Sequence, residues 1–211
     1  GNNSNPGSNS PVEVDRLTSG AIPIAPRKRH SCALTEAGGV KCWGSNGFGQ
    51  LGNNSNTSSN VPVDVSGLTS GVGAISSGGD RTCAIIAATG AAKCWGNNVR
   101  GGIGDNSNTH RNVPTDVSNM ASGVAMISVG NDHTCAVTTA GGVKCWGRNA
   151  EGQLGIGNTT SQTSPVDVPG LTSGVAAIAL GHLHTCAITT AGGVKCWGWN
   201  SSGQLGIGNS T

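Results

Sequence analysis

The chain has 211 residues, with 12 Lys and Arg against 10 Asp and Glu, and a net charge of +2; so small an excess, with no basic block, gives little long-range attraction for nucleic acid or an anionic membrane. No apolar run approaches the roughly 18–20 residues of a spanning helix, and the longest, Ala84 to Ala92, is broken by Thr89 and Gly90. The 36 glycines sit at recurring offsets, which marks required backbone geometry and excludes a flexible linker.

Cysteines come in four pairs: Cys32 with Cys42, Cys83 with Cys94, Cys135 with Cys145, and Cys186 with Cys196. The pairs recur at intervals of 51, 52 and 51 residues. Periods of that length belong to arrays whose units pack on their neighbours. They divide the chain into repeats at 1–51, 52–103, 104–154 and 155–205, with 206–211 starting another. In the first repeat, Thr35 opposite Gly39 places Cys32 opposite Cys42. The hairpin loop is then Glu36-Ala37-Gly38, with glycine at the left-handed third place. The second repeat is one residue longer, with loop Ala87-Ala88-Thr89-Gly90. Its glycine moves to the loop's end, so the cysteines stay opposed. The third carries the clearest copy, His133 to Asn158, with Gly141 at the hairpin place, and Gly192 holds that place in the fourth.

In the fourth repeat, Pro165-Val166-Asp167-Val168 predicts an outer or edge strand, where a missing N–H is tolerated. Val175 to Leu180 is nearly continuous and small, the pattern of a strand buried on both faces. Thr185–Thr189 and Gly193–Trp197 form the hairpin, and Asn200–Gly206 is a turn-rich connection. No helical period appears, so the unit is all-β. Opposed cysteines on antiparallel strands lie about 4.5–5.5 Å apart at Cα, within disulfide reach. Four bridges with no cysteine left over predict an oxidising compartment.

The positions His30, Cys32, Ala33, Leu34, Gly39, Cys42, Trp43, Gly44, Asn46, Gly49, Gln50, Leu51 and Gly52, with their equivalents in the later repeats, resemble the repeat of the regulator of chromosome condensation family. The resemblance is strongest to its bacterial, cysteine-containing branch. It implies a β-propeller, or propeller segment, of four-stranded antiparallel blades. Repeat two departs from it: Arg81 stands for His, and Arg100-Gly101-Gly102-Ile103 for the usual Gly-Gln-Leu. The family's founding activity is nucleotide exchange on a small GTPase, coupled to nucleosome binding. The chain has no basic tail, paired cysteines, and four repeats where seven are typical. The expectation is therefore that it is not an exchange factor.

His30, His133 and His184 stand two residues before a cysteine, a His-x-Cys that with the distant Cys makes three zinc ligands. Arg81 interrupts that series, and hairpin geometry already accounts for the cysteines. Disulfides, with no metal and no cofactor, are the expectation, and the histidines become structural hydrogen bonders. Trp43, Trp95, Trp146 and Trp197 read as inter-blade packing. Trp199 does not repeat and is a candidate contact residue. Lys41, Lys93, Lys144 and Lys195 form a periodic stripe, either a solvated edge that discourages strand pairing or an anion-binding ring. Glu13, Asp64, Asp116 and Asp167 share their period. Loops at 47–49, 99–101, 150–152 and 201–203 differ at matched places. Phe48, Arg100 and Glu151 join Trp199 as candidate binding residues. The stretch from Gly104 to Asn108 predicts an Asx-stabilised turn and not a calcium loop, for want of carboxylates. No catalytic constellation is present, and the chain is expected not to be an enzyme.

The combined expectation is a secreted or cell-surface propeller acting as a protein-interaction or structural module. A filament or surface-layer subunit and a carbohydrate-binding propeller are the alternatives. Its partner would be an unidentified protein or a second copy, through open repeat ends, with no nucleic acid and no membrane span. Gly1-Asn2-Asn3-Ser4 aligns with Gly52-Asn53-Asn54-Ser55 and with the last six residues, Gly206 to Thr211, as expected of a segment from a longer array.

Overall fold

The computed structural model describes residues 7–15, 17, 20–26 and 28–210; the aligned start at Gly1–Ser4 lies outside the described residues. Four antiparallel meanders follow one another. The first runs β1 (Ala21–Pro26), β2 (His30–Thr35), β3 (Val40–Gly44), β4 (Ser59–Asp64), and the second β5 (Val72–Gly78), β6 (Arg81–Ile86), β7 (Ala92–Gly96), β8 (Arg111–Asp116). The third runs β9 (Val124–Val129), β10 (His133–Thr138), β11 (Val143–Gly147), β12 (Gln162–Asp167). The fourth runs β13 (Val175–Leu180), β14 (His184–Thr189), β15 (Val194–Gly198). No helix among the described residues is long and apolar enough to cross a membrane.

The cysteine hairpins form at the expected register. Cys32 pairs with Cys42, and the Thr35 N–H donates to the Gly39 carbonyl at 2.8 Å. Gly38 takes the left-handed place with φ 74°. In the second sheet the Ile86 N–H donates to Ala91 instead, and Gly90, φ 69°, closes the longer loop with Cys83 still opposite Cys94. In the third and fourth sheets Cys135 stands opposite Cys145, and Cys186 opposite Cys196. All four pairs are disulfides: Cys32 with Cys42, Cys83 with Cys94, Cys135 with Cys145, and Cys186 with Cys196. Their Cα atoms are 4.1 Å apart in every blade, somewhat closer than the spacing expected of opposed strands. Each closes a loop of about ten residues, for which chain entropy stabilises the fold by a little under ~3 kcal/mol.

The sheets radiate like blades. The first strand of each meets the first strand of the next, β1 with β5, β5 with β9 and β9 with β13, so these are innermost. The apolar core lies between blades and not within one. Leu34, Leu51, Val65, Leu68 and Trp95 fill the first interface, Ile85, Ile103, Val117, Met120 and Trp146 the second, and Val137, Leu154, Val168, Leu171 and Ile178 the third, with Trp197 against it. Trp95 and Trp146 are fully buried there, as inter-blade packing requires.

Two details differ from the strand-by-strand expectation. The outer strand Gln162–Asp167 pairs with β11 of the preceding blade. A sequence copy begun at residue 155 therefore opens with the last strand of the blade before it. Val175–Leu180 is not buried on both faces: Ala176 and Ala179 are exposed. They belong to the innermost strand, where narrow blades converge without filling the axis.

Candidate functional site

Adjacent blades are joined by a recurring polar lock. The Gln50 backbone carbonyl accepts from Trp95 Nε1–H at 3.0 Å and from the Thr82 hydroxyl at 3.2 Å. Because Thr82 donates there, it accepts from His30 Nε2 at 2.9 Å. The same set recurs between the third and fourth blades. Trp197 and Thr185 donate to the Gln153 carbonyl at 3.0 and 2.9 Å, and His133 Nε2 meets Thr185 at 2.8 Å. The histidines are thus hydrogen bonders at strand starts, and the cysteines that would complete a zinc set are joined to each other.

The middle interface keeps two of the three parts. Trp146 and Thr134 donate to the Gly102 carbonyl at 2.9 and 2.8 Å. Arg81, in place of the histidine, is 3% exposed and donates to the Asn97 carbonyl at 3.1 Å and the His133 carbonyl at 3.5 Å. Burial lowers its guanidinium to about 10, against the attraction of Asp132 and Asp80. Burial also pushes the His133 imidazole down to about 3, helped by the Arg81 charge. His133 is therefore neutral near pH 7, with Nε2 protonated and Nδ1 buried without a partner among the described residues.

The lock aligns the ends of the blades into two unlike faces. On one, the hairpins after β2, β6, β10 and β14 are short and similar. On the other, the turn leaving each inner strand is tied to the long loop after the third strand. Ser45 N–H donates to the Arg29 carbonyl, Asn97 to Asp80, Arg148 to Asp132 and Trp199 to Leu183, at 2.8 to 3.0 Å. At the centre of this second face is a cavity of about 450 Å³, lined by Lys28, Arg29, Gly78, Gly79, Asp80, Gly130, Asn131, Leu180, Gly181 and His182. Every blade contributes to it, and pockets of this size hold small ligands or inserted side chains.

The sequence candidates fall around this cavity and not in it. Trp199 is 40% exposed, beside the Leu183 turn. Phe48 is half-buried, its ring edge-on to His110 of the next blade at 5.0 Å. Glu151 pairs with Arg148 at 3.4 Å, and Arg100 is exposed. The loop after Gly104 is built around Asn98, whose amide donates to Asp105 at 3.1 Å. Ser107 and Arg111 occupy the remaining Asp105 acceptors, as in an Asx-stabilised turn. Lys41, Lys93 and Lys144 pair with Asp64, Asp116 and Asp167 at 2.6, 2.6 and 2.7 Å across the outer strands. These pairs neutralise three of the four lysines of the stripe, while Lys195, on the last strand, has no such pair among the described residues. The pairs are exposed and add little stability. The cavity residues Lys28, Arg29, Asp80, Asn131 and His182 escape a periodicity search because they do not repeat. The signal was there as non-repeating polar residues between each inner strand and the periodic His or Arg.

The family described as the regulator of chromosome condensation (RCC1) repeat matches residues 37–85, 92–137 and 140–188. The chain is 33% identical over 195 residues to human probable E3 ubiquitin-protein ligase HERC4, covering 90% of this chain and 18% of that protein. It is 36% identical over 187 residues to the Arabidopsis thaliana RCC1 domain-containing protein RUG3, mitochondrial, covering 84% and 42%. It superimposes on Prp20p of Saccharomyces cerevisiae, a structure reported with that protein's binding to Gsp1p and histones. The TM-score is 0.82 at 22% identity, over 95% of this chain and 50% of that one. The chain thus spans half or less of each.

Two expectations are corrected by these likenesses. The secreted, extracellular or cell-surface location is overturned, because RUG3 is described as mitochondrial and HERC4 as a probable E3 ubiquitin-protein ligase. Opposition of the cysteines across a hairpin is set by register in any compartment, and only their oxidation depends on the surroundings. The exclusion of nucleotide exchange also falls, because the same blade geometry is that of a Gsp1p-binding propeller. The extracellular filament reading depended on the same location and goes with it.

Proposed function

The chain belongs to the regulator of chromosome condensation repeat family, and from that premise we propose that it is an intracellular propeller segment that docks a protein partner on its variable face. The observation that carries the reading is the gathering of the non-repeating loops of all four blades around one cavity, while the opposite hairpins stay alike. A rigid frame with one variable face is how a binding scaffold differentiates its contacts. Phe48, Arg100, Glu151 and Trp199 are the rim contacts in this reading. The four repeats with the start at 206–211 act as one segment. The role is docking, and no bond-making step is assigned to it. Prp20p suggests the partner class: a GTPase of the Gsp1p type, with nucleotide exchange as the associated activity, and histones second. The cysteine pair in every repeat supports a cysteine-containing branch of the family.

The test is biolayer interferometry against a Gsp1p-type GTPase and against histones, with release of a fluorescent guanine nucleotide followed in parallel. Arg100→Glu and Trp199→Ala should weaken binding at least fivefold, and Glu36→Ala and Thr139→Ala on the opposite face should not. Equal effects on both faces, or no binding to either probe, would refute the reading.

A further inference from the structure

We propose that the central cavity of the variable face takes a carboxylate-bearing segment of the docked protein, an acidic peptide held by Lys28 and Arg29. This rests on the reading of that face as the docking surface. The charge arrangement points to it. Two carboxylates lie at or beside the cavity, and both have cationic or amide partners. Asp80 receives the Gln50 amide at 3.3 Å, with the Arg81 guanidinium behind it. Asp132 faces Arg148 at 3.7 Å and Arg81 as well. Lys28 and Arg29 are exposed on the cavity wall, and among the described residues neither makes an ion pair. Their charge is therefore excess and directed at a concave, four-sided space, where low-dielectric walls strengthen attraction.

The remaining lining fits a peptide better than a bare ion. The Asn131 side-chain amide makes no hydrogen bond among the described residues and offers both a donor and an acceptor. Leu180 supplies an apolar wall, and His182 is an exposed part of the same lining. At about 450 Å³ the cavity holds one or two side chains with their backbone. A single phosphate or chloride would leave it largely filled with water. The guanidinium of Arg29 suits two-pronged recognition of a carboxylate, and Lys28 adds a point charge.

The probe is a fluorescein-labelled octapeptide of Glu, Asp and Leu, with its Gln, Asn and Leu counterpart as the neutral control, read by anisotropy at fixed salt. The acidic peptide should bind the whole chain at least tenfold more tightly than the neutral one. Lys28→Glu with Arg29→Glu should abolish that preference, while Lys144→Glu with Lys195→Glu, the same charge change elsewhere, should preserve it. Asn131→Asp, which leaves the first blade untouched, should weaken binding severalfold. Equal loss in both double variants, or displacement of the peptide by millimolar inorganic phosphate, would overturn the proposal in favour of diffuse charge or a small-anion site. Failure of the peptide to bind, while Arg100→Glu still weakens GTPase or histone binding, would sink this inference and leave the docking face standing.

Discussion

Arg81 and Gly102 form one exchange, and a double-mutant cycle tests it. At the places they occupy, the other blades carry His30, His133 and His184, and Gln50, Gln153 and Gln204. Gln50 and Gln153 are fully buried. In the second blade the glutamine is missing, and a Cβ built on Gly102 would fall onto the Arg81 guanidinium. The guanidinium fills the space that a glutamine side chain fills elsewhere. Arg81→His alone removes the donors to Asn97 and His133 and leaves a void. The lost bonds and cavity cost more than the relief of desolvation returns, for a net destabilisation of about 2 kcal/mol. Gly102→Gln alone crowds a buried cation, at about 1–3 kcal/mol. The φ of Gly102 is not positive, so the cost is steric and not backbone strain. Arg81→His with Gly102→Gln rebuilds the arrangement of the first interface and should return to within ~1 kcal/mol of the parent, a coupling of about 2–4 kcal/mol. Urea unfolding followed by tryptophan fluorescence measures all four corners. Additive single effects, with coupling below about 0.5 kcal/mol, would refute the idea that one side chain stands in for the other.

The buried neutral His133 predicts an acid-sensitive fold. Its folded-state value of about 3 lies below the ordinary 6.5, so the unfolded chain takes up the proton first. Its contribution is whole above pH 6.5 and is lost toward pH 3, at about 1.4 kcal/mol per pH unit. Urea midpoints should fall between pH 6.5 and 4.5, above the carboxylate range, and His133→Gln should flatten that slope; an unchanged slope would contradict the assignment. The lock predicts non-additivity at Gly102. Trp146→Phe and Thr134→Val each leave its carbonyl one donor and should cost about 1 kcal/mol. The double variant strands a buried carbonyl and should exceed the sum by about 1–2 kcal/mol in calorimetry.

The fold was legible because its determinants are local and repeated. The moved glycine in the Ala87–Gly90 loop, against Glu36-Ala37-Gly38, showed that the cysteines face each other, and hairpin register depends on little beyond the turn. The periodic tryptophans implied interfaces for the same reason. The rim candidates Phe48, Arg100, Glu151 and Trp199 stood out by varying within a fixed frame. The cavity did not stand out, since Lys28, Asp80, Asn131 and His182 are unlike one another and about 50 residues apart. The location failed because the spacing of a cysteine pair reports hairpin register, and only its oxidation depends on the surroundings.

The sequence by itself determined the strands, the hairpin register and the four disulfides, each an interaction closed within about ten residues of chain. Only the tertiary structure decided that the outer strand joins the blade before it and that Trp95 and Thr82 share the Gln50 carbonyl. The same holds for three lysines of the stripe answered by aspartates and for Lys28 and Arg29 left unanswered around a common cavity. The shared Gln50 carbonyl and the common cavity depend on how successive blades are rotated about the axis. That rotation comes from packing Leu, Val, Ile and Trp side chains between sheets, a contact no single repeat contains.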